Sequence, residues 1–380
     1  MARAWGGWQL AAVLLVLGTA GCASAPAPRP PPTARVAEGS PLTFGAPVVA
    51  LAGCGARSGS ACFEPSVAVG AAGTLVANSY AAPLARQVTA SLFLDVRGPG
   101  GAALNATGDA LVQAAPDGSI WWSMLSAQQI HVARTTNAGL TWDVDATAPL
   151  EPPPDRQWLL FGPDRIVLTY QGSSVRAMVS ADGGRTWSGT VAVAPQARVH
   201  GQGAWCGDRF LVPFLQQGRL GVAASLDGRA WSTSFVPAAA GTYFPALACD
   251  GPQVALAWQD PQQQLLLARS ADLGRTWEAP LALNLAPQHV VGSPWLLLRG
   301  GKAWVAYFAA DHDAGPAELA VVRVAGAVAD RGVAATGIAT TYAKARPGNT
   351  DFAHFGLDAG GHAVLAYADG DKSVKLVAQS

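Results

Sequence analysis

Charge is scarce in this 380-residue sequence. Only 13% of residues are charged, and Lys plus Arg equal Asp plus Glu at 25 each. A chain without net charge has no overall basic field to draw it to nucleic acid or anionic lipid, so nucleic-acid binding is set aside. Apolar runs are short, and none reaches the length needed to span a bilayer as a helix. Helical periodicity is missing beyond the N-terminal stretch, which argues against an α-rich domain. No Cys-x-x-Cys or Cys-x-x-His spacing occurs among the five cysteines, and that speaks against a structural zinc site. Lys is rare, with 4 against 21 Arg.

Glycine and proline are plentiful, 43 and 27, and they punctuate short alternating Val, Leu, Trp and Tyr segments. Four near-copies of one stretch stand out. Ser180-Ala-Asp182-Gly-Gly-Arg-Thr-Trp187 is repeated as Ser270-Ala-Asp272-Leu-Gly-Arg-Thr-Trp277, with a looser copy at Thr135–Trp142 around Asn137 and a shorter one at Ser225–Trp231 around Asp227. Their tryptophans, Trp142, Trp187, Trp231 and Trp277, lie 45, 44 and 46 residues apart. A period in the forties means stacked supersecondary units.

Before each box the same strands recur, and the pattern can be followed seven times. The predicted first strands are 64–69, 109–114, 156–161, 203–206, 244–249, 294–298 and 353–357. The second are 75–80, 120–125, 166–170, 210–214, 254–258, 303–308 and 363–367. The third are 91–96, 129–134, 174–180, 220–225, 264–270, 318–324 and 374–378, with fourth strands such as 188–194 and 278–283 after the boxes. Units of this kind make an all-β, seven-bladed β-propeller, with a six-bladed ring as the alternative. The chain stops after the third strand of the last unit. Leu42–Leu51 is therefore expected to supply that blade's outer strand and close the ring, removing an open edge.

Each box residue has a folding role. The Ser and Asp side chains accept backbone N–H bonds, Gly184 and Gly274 supply positive φ, and the Trp wedges between blades. These motifs, with Glu64-Pro-Ser-Val-Ala-Val69 and Asp155-Arg-Gln-Trp-Leu159, resemble the Asp-box (bacterial neuraminidase, or BNR) repeats of the sialidase-like propeller superfamily. The resemblance covers about residues 62–380 and implies that the boxes lie on the face opposite the active site. In sialidases that site holds three arginines, a Tyr–Glu nucleophile pair and an Asp acid/base. The first arginine belongs to a Phe/Tyr-Arg-Ile-Pro motif. Here the matching stretch is Cys62-Phe63-Glu64-Pro65-Ser66-Val67, with Phe63 at the arginine's place. Phenylalanine cannot replace a bidentate guanidinium. The expected function is therefore a non-catalytic module that binds a glycan or protein, with an altered sialidase-type glycoside hydrolase as the alternative.

Polar residues that open first strands are expected to ring the channel mouth. Candidate ligand-binding residues are Asp155, Arg156, His200, Tyr243, Arg346, Asp351 and His354, with Arg198 a further arginine on that face. Asp109, Tyr243 and Glu64 are the candidates for catalysis. Asp311 and Asp313 in one loop, and Asp369 and Asp371 in the next, could gather around a hard cation such as calcium, although Asp and Gly are also ordinary turn residues. No other cofactor is expected, and the protein is expected to be a monomer.

At the N-terminus, Arg3, the apolar run Leu10–Leu17 and Gly18-Thr-Ala-Gly-Cys22 resemble a bacterial lipobox. The resemblance implies a signal peptide over 1–21, lipid on the Cys22 thiol, and, with Ala23 rather than Asp next, the outer membrane of a bacterial envelope. Residues 22–39, rich in Ala and Pro, read as an extended tether, and 40–380 as the propeller. Cys54 and Cys62 are expected to form a local disulfide. Cys206 and Cys249 occupy the same core position in neighbouring blades and could be bonded or free.

Overall fold

The computed structural model describes residues 34–35, 37–52, 62–79, 84–98, 109–125, 129–149, 155–197, 199–284, 288–290, 292–311, 316–338, 352–368 and 373–380. Residues 1–33, with Cys22, and also Cys54, Arg198, Asp313, Arg346, Asp351, Asp369 and Asp371, lie outside them.

Alternating β-branched and aromatic residues between glycine turns fold into seven sheets arranged as the blades of a propeller. Blade one is Phe63–Gly70, Gly73–Ser79, Leu84–Gln87 and Phe93–Val96. Blade two is Ala110–Ala114, Ile120–Leu125, Gln129–Thr135 and Val144–Pro149; blade three is Asp155–Phe161, Ile166–Gln171, Val175–Ser180 and Val191–Ala194. Blade four has a split inner strand, Val199–His200 and Ala204–Cys206, then Arg209–Gln216, Arg219–Ser225 and Ser232–Ala240. Blade five is Ala246–Asp250, Gln253–Gln259, Leu265–Ser270 and Leu281–Ala282. Blade six again has a split inner strand, His289–Val290 and Trp295–Arg299, followed by Lys302–Ala310, Ala317–Ala325 and Val328–Ile338. Blade seven is Phe355–Leu357, Ala363–Ala368 and Ser373–Ala378.

The last blade takes its outer strand from the start of the domain. Val48–Ala52 pairs antiparallel with Ser373–Ala378, and Phe44 bridges to Gln379. The closure expected from Leu42–Leu51 is thus present, and the six-bladed alternative is excluded. Two expectations need correction. In blade one the third strand is Leu84–Gln87, and Phe93–Val96 is the outer strand. Ala-Arg-Gln carries no β-branched residue, so its pattern is faint; burial of Leu84 and Ala85 holds it in the sheet. The end of the tether is not free either. Ala34–Arg35 runs parallel to Leu281–Ala282 of blade five, and Ala37–Glu38 runs parallel to Val328–Ala329 of blade six. Both outer strands offer open edges, and an extended segment meets that need.

The apolar clusters lie between blades. Leu75, Ala77 and Leu84 of blade one meet Val112, Ile120 and Trp122 of blade two, and Leu247, Leu256 and Trp258 of blade five meet Leu211, Leu220 and Val222 of blade four. Cys206 and Cys249 are disulfide-bonded with Cα atoms 5.6 Å apart, joining the inner strands of blades four and five. Closing this loop is worth about 4 kcal/mol in the chain-entropy model.

The boxes sit in the hairpins between third and fourth strands. In blade three, Asp182 Oδ1 accepts from the backbone N–H groups of Arg185 and Thr186 at 3.0 and 2.9 Å, while Thr186 Oγ1 donates to Oδ2 at 2.6 Å. Ser180 Oγ accepts from Gly184 N–H at 2.8 Å. The Asp272 box repeats every one of these bonds. Hydrogen bonds from Thr276 and the backbone bring the Asp272 carboxyl down to about 2, and Asp182 is lowered in the same way. In three of the four boxes a glycine (Gly139, Gly184 or Gly228) lies against the preceding blade, while Gly274 faces its own Trp277. A methyl group on Gly184 would stand 2.6 Å from the Trp121 ring of blade two, and one on Gly228 would stand 2.5 Å from Val167 of blade three.

Gly184 combines that contact with a φ of +86°. Gly184→Ala is expected to lower stability by about 2–4 kcal/mol. Gly218→Ala, at φ +77° with open space around it, is expected to cost only about 1 kcal/mol. Urea denaturation of the two variants checks the contrast, and equal losses would remove the packing role given to the box glycine.

Candidate functional site at the propeller mouth

Inner strands enter the ring at one face, and two of them begin with the same distortion. Glu64 and Arg156 have φ of +44° and +46°, each beside a register shift, Phe63/Ser66 in blade one and Asp155/Gln157 in blade three. Such backbone is uncommon for residues with a Cβ and costs on the order of 1–3 kcal/mol at each place. In return the two side chains meet across the mouth. Arg156 Nη1 and Nη2 donate to Glu64 Oε2 and Oε1 at 2.6 and 2.7 Å. Nη1 also stands 3.2 Å from Asp109 Oδ2 of blade two. The Arg156 backbone N–H donates to Asp155 Oδ1 at 3.1 Å.

Aromatic rings enclose the guanidinium. Its Cζ lies 5.1 Å from the Phe244 ring centroid and 5.2 Å from that of Phe352. Phe352 packs edge-on against Trp158 at 5.2 Å, and Trp158 continues to Trp295 at 5.3 Å. His354 stacks on Trp295 at 3.9 Å. Desolvation raises the Asp155 carboxyl; Arg156 opposes this, and the hydrogen bond with Asp109 adds to it. A cavity of about 30 Å³ lies beneath, lined by Glu64, Asp109, Arg156, Gln157, Trp158 and His354 among others. It is about the size of one water.

Side chains also stitch the inner strands. Ser66 Oγ accepts from Val112 N–H at 3.0 Å, and His354 Nδ1 accepts from Val67 N–H at 3.1 Å. Gln157 Nε2 donates to Asp109 O at 3.0 Å, and Gln113 exchanges two bonds with Leu159. The proton of the neutral His354 ring is thereby placed on Nε2.

The fold brings together five of the expected site residues. Glu64, Asp109, Asp155 and Arg156 surround one point, and His354 lies just below, almost fully buried. Tyr243 is half-buried beside Phe244. His200 is a correction: expected at the mouth, it is fully buried between blade four and its neighbour, where it pairs with Phe214. A strand start split by Gly201 turns it into the core. Arg346 and Asp351 lie outside the described residues. So do three of the four acidic loop residues; the fourth, Asp311, is exposed. Among the described residues no His, Cys, Asp and Glu group is arranged to hold a metal ion. Cys62 takes part in a disulfide, and the Cys54 expected as its partner is outside the described residues. Sequence reading missed the aromatic enclosure. Phe244, Trp295 and Phe352 stand at the starts of inner strands, the place that drew attention to Glu64 and Arg156, and that was the available signal.

Burial lowers both His200 and His354 to about 3. A folded pKa below the unfolded value of about 6.5 means that the unfolded chain takes up protons first as pH falls. The corresponding stability is complete above pH ~6.5 and is lost progressively toward pH ~3. The urea midpoint is expected to fall steadily over that window. His200→Gln should flatten the slope, and an unchanged slope would be the contrary result. Arg156→Met strands the buried Glu64 carboxylate and is expected to cost about 3–5 kcal/mol. Adding Glu64→Gln should recover part of the loss, and strictly additive losses would show that the pair is not coupled.

No protein-family model matches the chain, and no curated protein matches its sequence. Among solved structures, it is similar to a chain of a mitotic checkpoint complex, with 12% identity and a TM-score of 0.53 over 97% of this chain and 99% of that one. A mutant α-L-arabinofuranosidase from Fusarium graminearum, in complex with an iminosugar inhibitor, has 11% identity and a TM-score of 0.50, covering 70% of this chain and 92% of that chain. An Aleuria aurantia lectin mutant in complex with α-methyl-L-fucoside has 14% identity and a TM-score of 0.49, covering 80% and 100%. Likeness at this identity establishes a shared β-propeller fold and leaves activity to the site itself.

Proposed function

We propose that the protein is an exported binding propeller, lipid-anchored through Cys22 in the bacterial envelope, which takes a neutral glycan at its mouth without catalysis. The observation that carries the reading is the state of Arg156. Among the described residues it is the one arginine at the mouth end of an inner strand, and Glu64 and Asp109 already hold its guanidinium. An anionic sugar such as a sialate would have to displace a bidentate carboxylate and approach Asp109 and Asp155. A neutral polyol meets no such barrier. Carboxylates can accept its hydroxyl protons, and the rings of Tyr243 and Phe244 offer apolar surface to its C–H faces. A protein group without net negative charge would suit the same chemistry.

A second reading, a glycoside hydrolase with an altered site, draws on the Asp109–Asp155 pair. Burial raises the Asp155 carboxyl beside a second carboxyl, and paired carboxyl groups are what acid–base glycoside chemistry uses. One set of experiments separates the readings. Titration calorimetry with neutral and sialylated oligosaccharides should give heat only with neutral ones, weakened at least tenfold by Asp155→Asn or Tyr243→Ala. Fluorogenic glycosides, sialoside included, should not be turned over. Turnover abolished by Asp155→Asn would establish the hydrolase instead. Tighter binding of sialylated than neutral sugars would refute the charge argument. For the anchor, Cys22→Ser should move the protein from the membrane fraction to the soluble one.

A further inference from the structure

The face opposite the mouth carries the boxes and the turns between first and second strands. Those two sets of loops interlock: Arg165 Nη1 of blade three reaches Asp227 O in the box of blade four at 3.4 Å, and Leu273 N–H of the blade-five box donates to Pro252 O at 3.2 Å. This face has an unusual surface for loops. Seven large aliphatic side chains are exposed among the described residues, and five stand in its third-to-fourth-strand hairpins: Val88, Leu92, Leu140, Leu226 and Val328. Leu140 and Leu226, both 63% exposed, sit inside boxes. They are not needed by the turn, because the box bonds run through Thr135 and Asn137 in one box, Ser225 and Asp227 in the other, and the backbone. The five come from blades one, two, four and six, and so are spread around the ring on one side.

Hairpins on the same face expose Arg185 in blade three, Arg229 beside Leu226 in blade four, and Arg275 in blade five. The carboxylates beside them, Asp182, Asp227 and Asp272, have oxygens occupied by N–H donors within the turn. The chain as a whole is neutral and has no long-range pull on a bilayer. What this face offers is short-range: aliphatic side chains at hairpin tips with guanidinium groups among them, while the exposed Asp117, Asp164 and Asp208 of the first-to-second-strand turns are each paired with an arginine, Arg134, Arg165 and Arg209. That combination suits the boundary between lipid headgroups and acyl chains.

The course of the N-terminal segment points the same way. Outer strands run from the box face toward the mouth. Ala34–Arg35 is parallel to the outer strand Leu281–Ala282, so the chain enters this strand from the box-face side of the rim. Twelve peptide steps separate Cys22 from Ala34, a reach of at most about 40 Å.

We infer that the box face is a membrane-contact surface, laid against the lipid bilayer with the mouth turned away from it. This rests on the lipid-anchor reading of Cys22 for its biological setting, and its physical content can be tested without that lipid. A chain starting at residue 23 keeps the compact unit Pro32–Ser380 intact. With an N-terminal hexahistidine it can be tethered to vesicles containing nickel-chelating lipid and about one-third phosphatidylglycerol. An environment-sensitive fluorophore is attached at Leu226→Cys or, for the mouth, at Asp155→Cys. The expected result is a blue shift at 226 on vesicle binding and none at 155. Without the tether, Leu140→Ser with Leu226→Ser should weaken vesicle partitioning at least tenfold, and Arg185→Gln with Arg229→Gln should reduce its dependence on phosphatidylglycerol. A label at 226 that stays in water on tethered protein, or a shift at 155 in its place, overturns the inference. Failure of the lipid-anchor reading would appear separately, as wild-type protein that stays soluble in cell fractionation.

Discussion

Ring closure is the constraint on which everything else depends. Each blade is a sheet with two faces to bury, and only neighbouring blades can bury them. Val48–Ala52 pairing with Ser373–Ala378 turns an open row of blades into a cycle in which every blade has two neighbours. The clusters between blades then become mutually dependent. The disulfide between Cys206 and Cys249 adds one covalent tie at the blade-four to blade-five contact, and Ala34–Arg35 and Ala37–Glu38 cover the edges of blades five and six.

Within the cycle, two kinds of bond fix the spacing at opposite faces. On the box face, a carboxylate or amide and a hydroxyl satisfy the hairpin backbone, and in blades two, three and four a glycine lets that hairpin lie directly on the preceding blade. At the inner strands, Ser66, Gln113, Gln157 and His354 bond the backbone of the adjacent inner strand. Neighbouring inner strands share only isolated backbone bonds, such as Leu247 N–H to Gln202 O at 2.9 Å, and side chains supply the rest. Polar residues on inner strands therefore have a structural use that competes with ligand binding. His354 illustrates it: its Nδ1 is engaged by Val67 and its ring is covered by Trp295.

The fold was legible because its signals are local and repeated. A 45-residue period, box residues with strict hydrogen-bonding needs and alternating strands all appear in sequence without knowledge of distant contacts. Leu84–Gln87 escaped notice because its strand character comes from burial between neighbours, not from β-branching. The site was legible only in part. Strand starts drew attention to Glu64, Asp109, Asp155 and Arg156, yet nothing in their spacing indicates that one guanidinium is shared among them. His200 looked equivalent to them by position, but the break at Gly201 sends it into the core. The aromatic enclosure depends on Phe244, Trp295 and Phe352 converging from blades five, six and seven, which is a property of the ring.

Strain at Glu64 and Arg156 links architecture to use. Two residues with side chains are held at positive φ in blades one and three, and each loses strand register there. A ring that needed only stability would place glycine at such points, or keep the register. Here the distortion brings a buried carboxylate and a guanidinium into a bidentate contact beside two phenyl rings, with Asp109 and Asp155 close by. The ion pair sets the floor of the mouth and its charge: an arginine already satisfied, with acidic groups above it. That order of charges is the reverse of what an anion-binding site requires. Arg156 bound to Glu64 gives a mouth that holds its own cation in place, with carboxylates and aromatic rings around it.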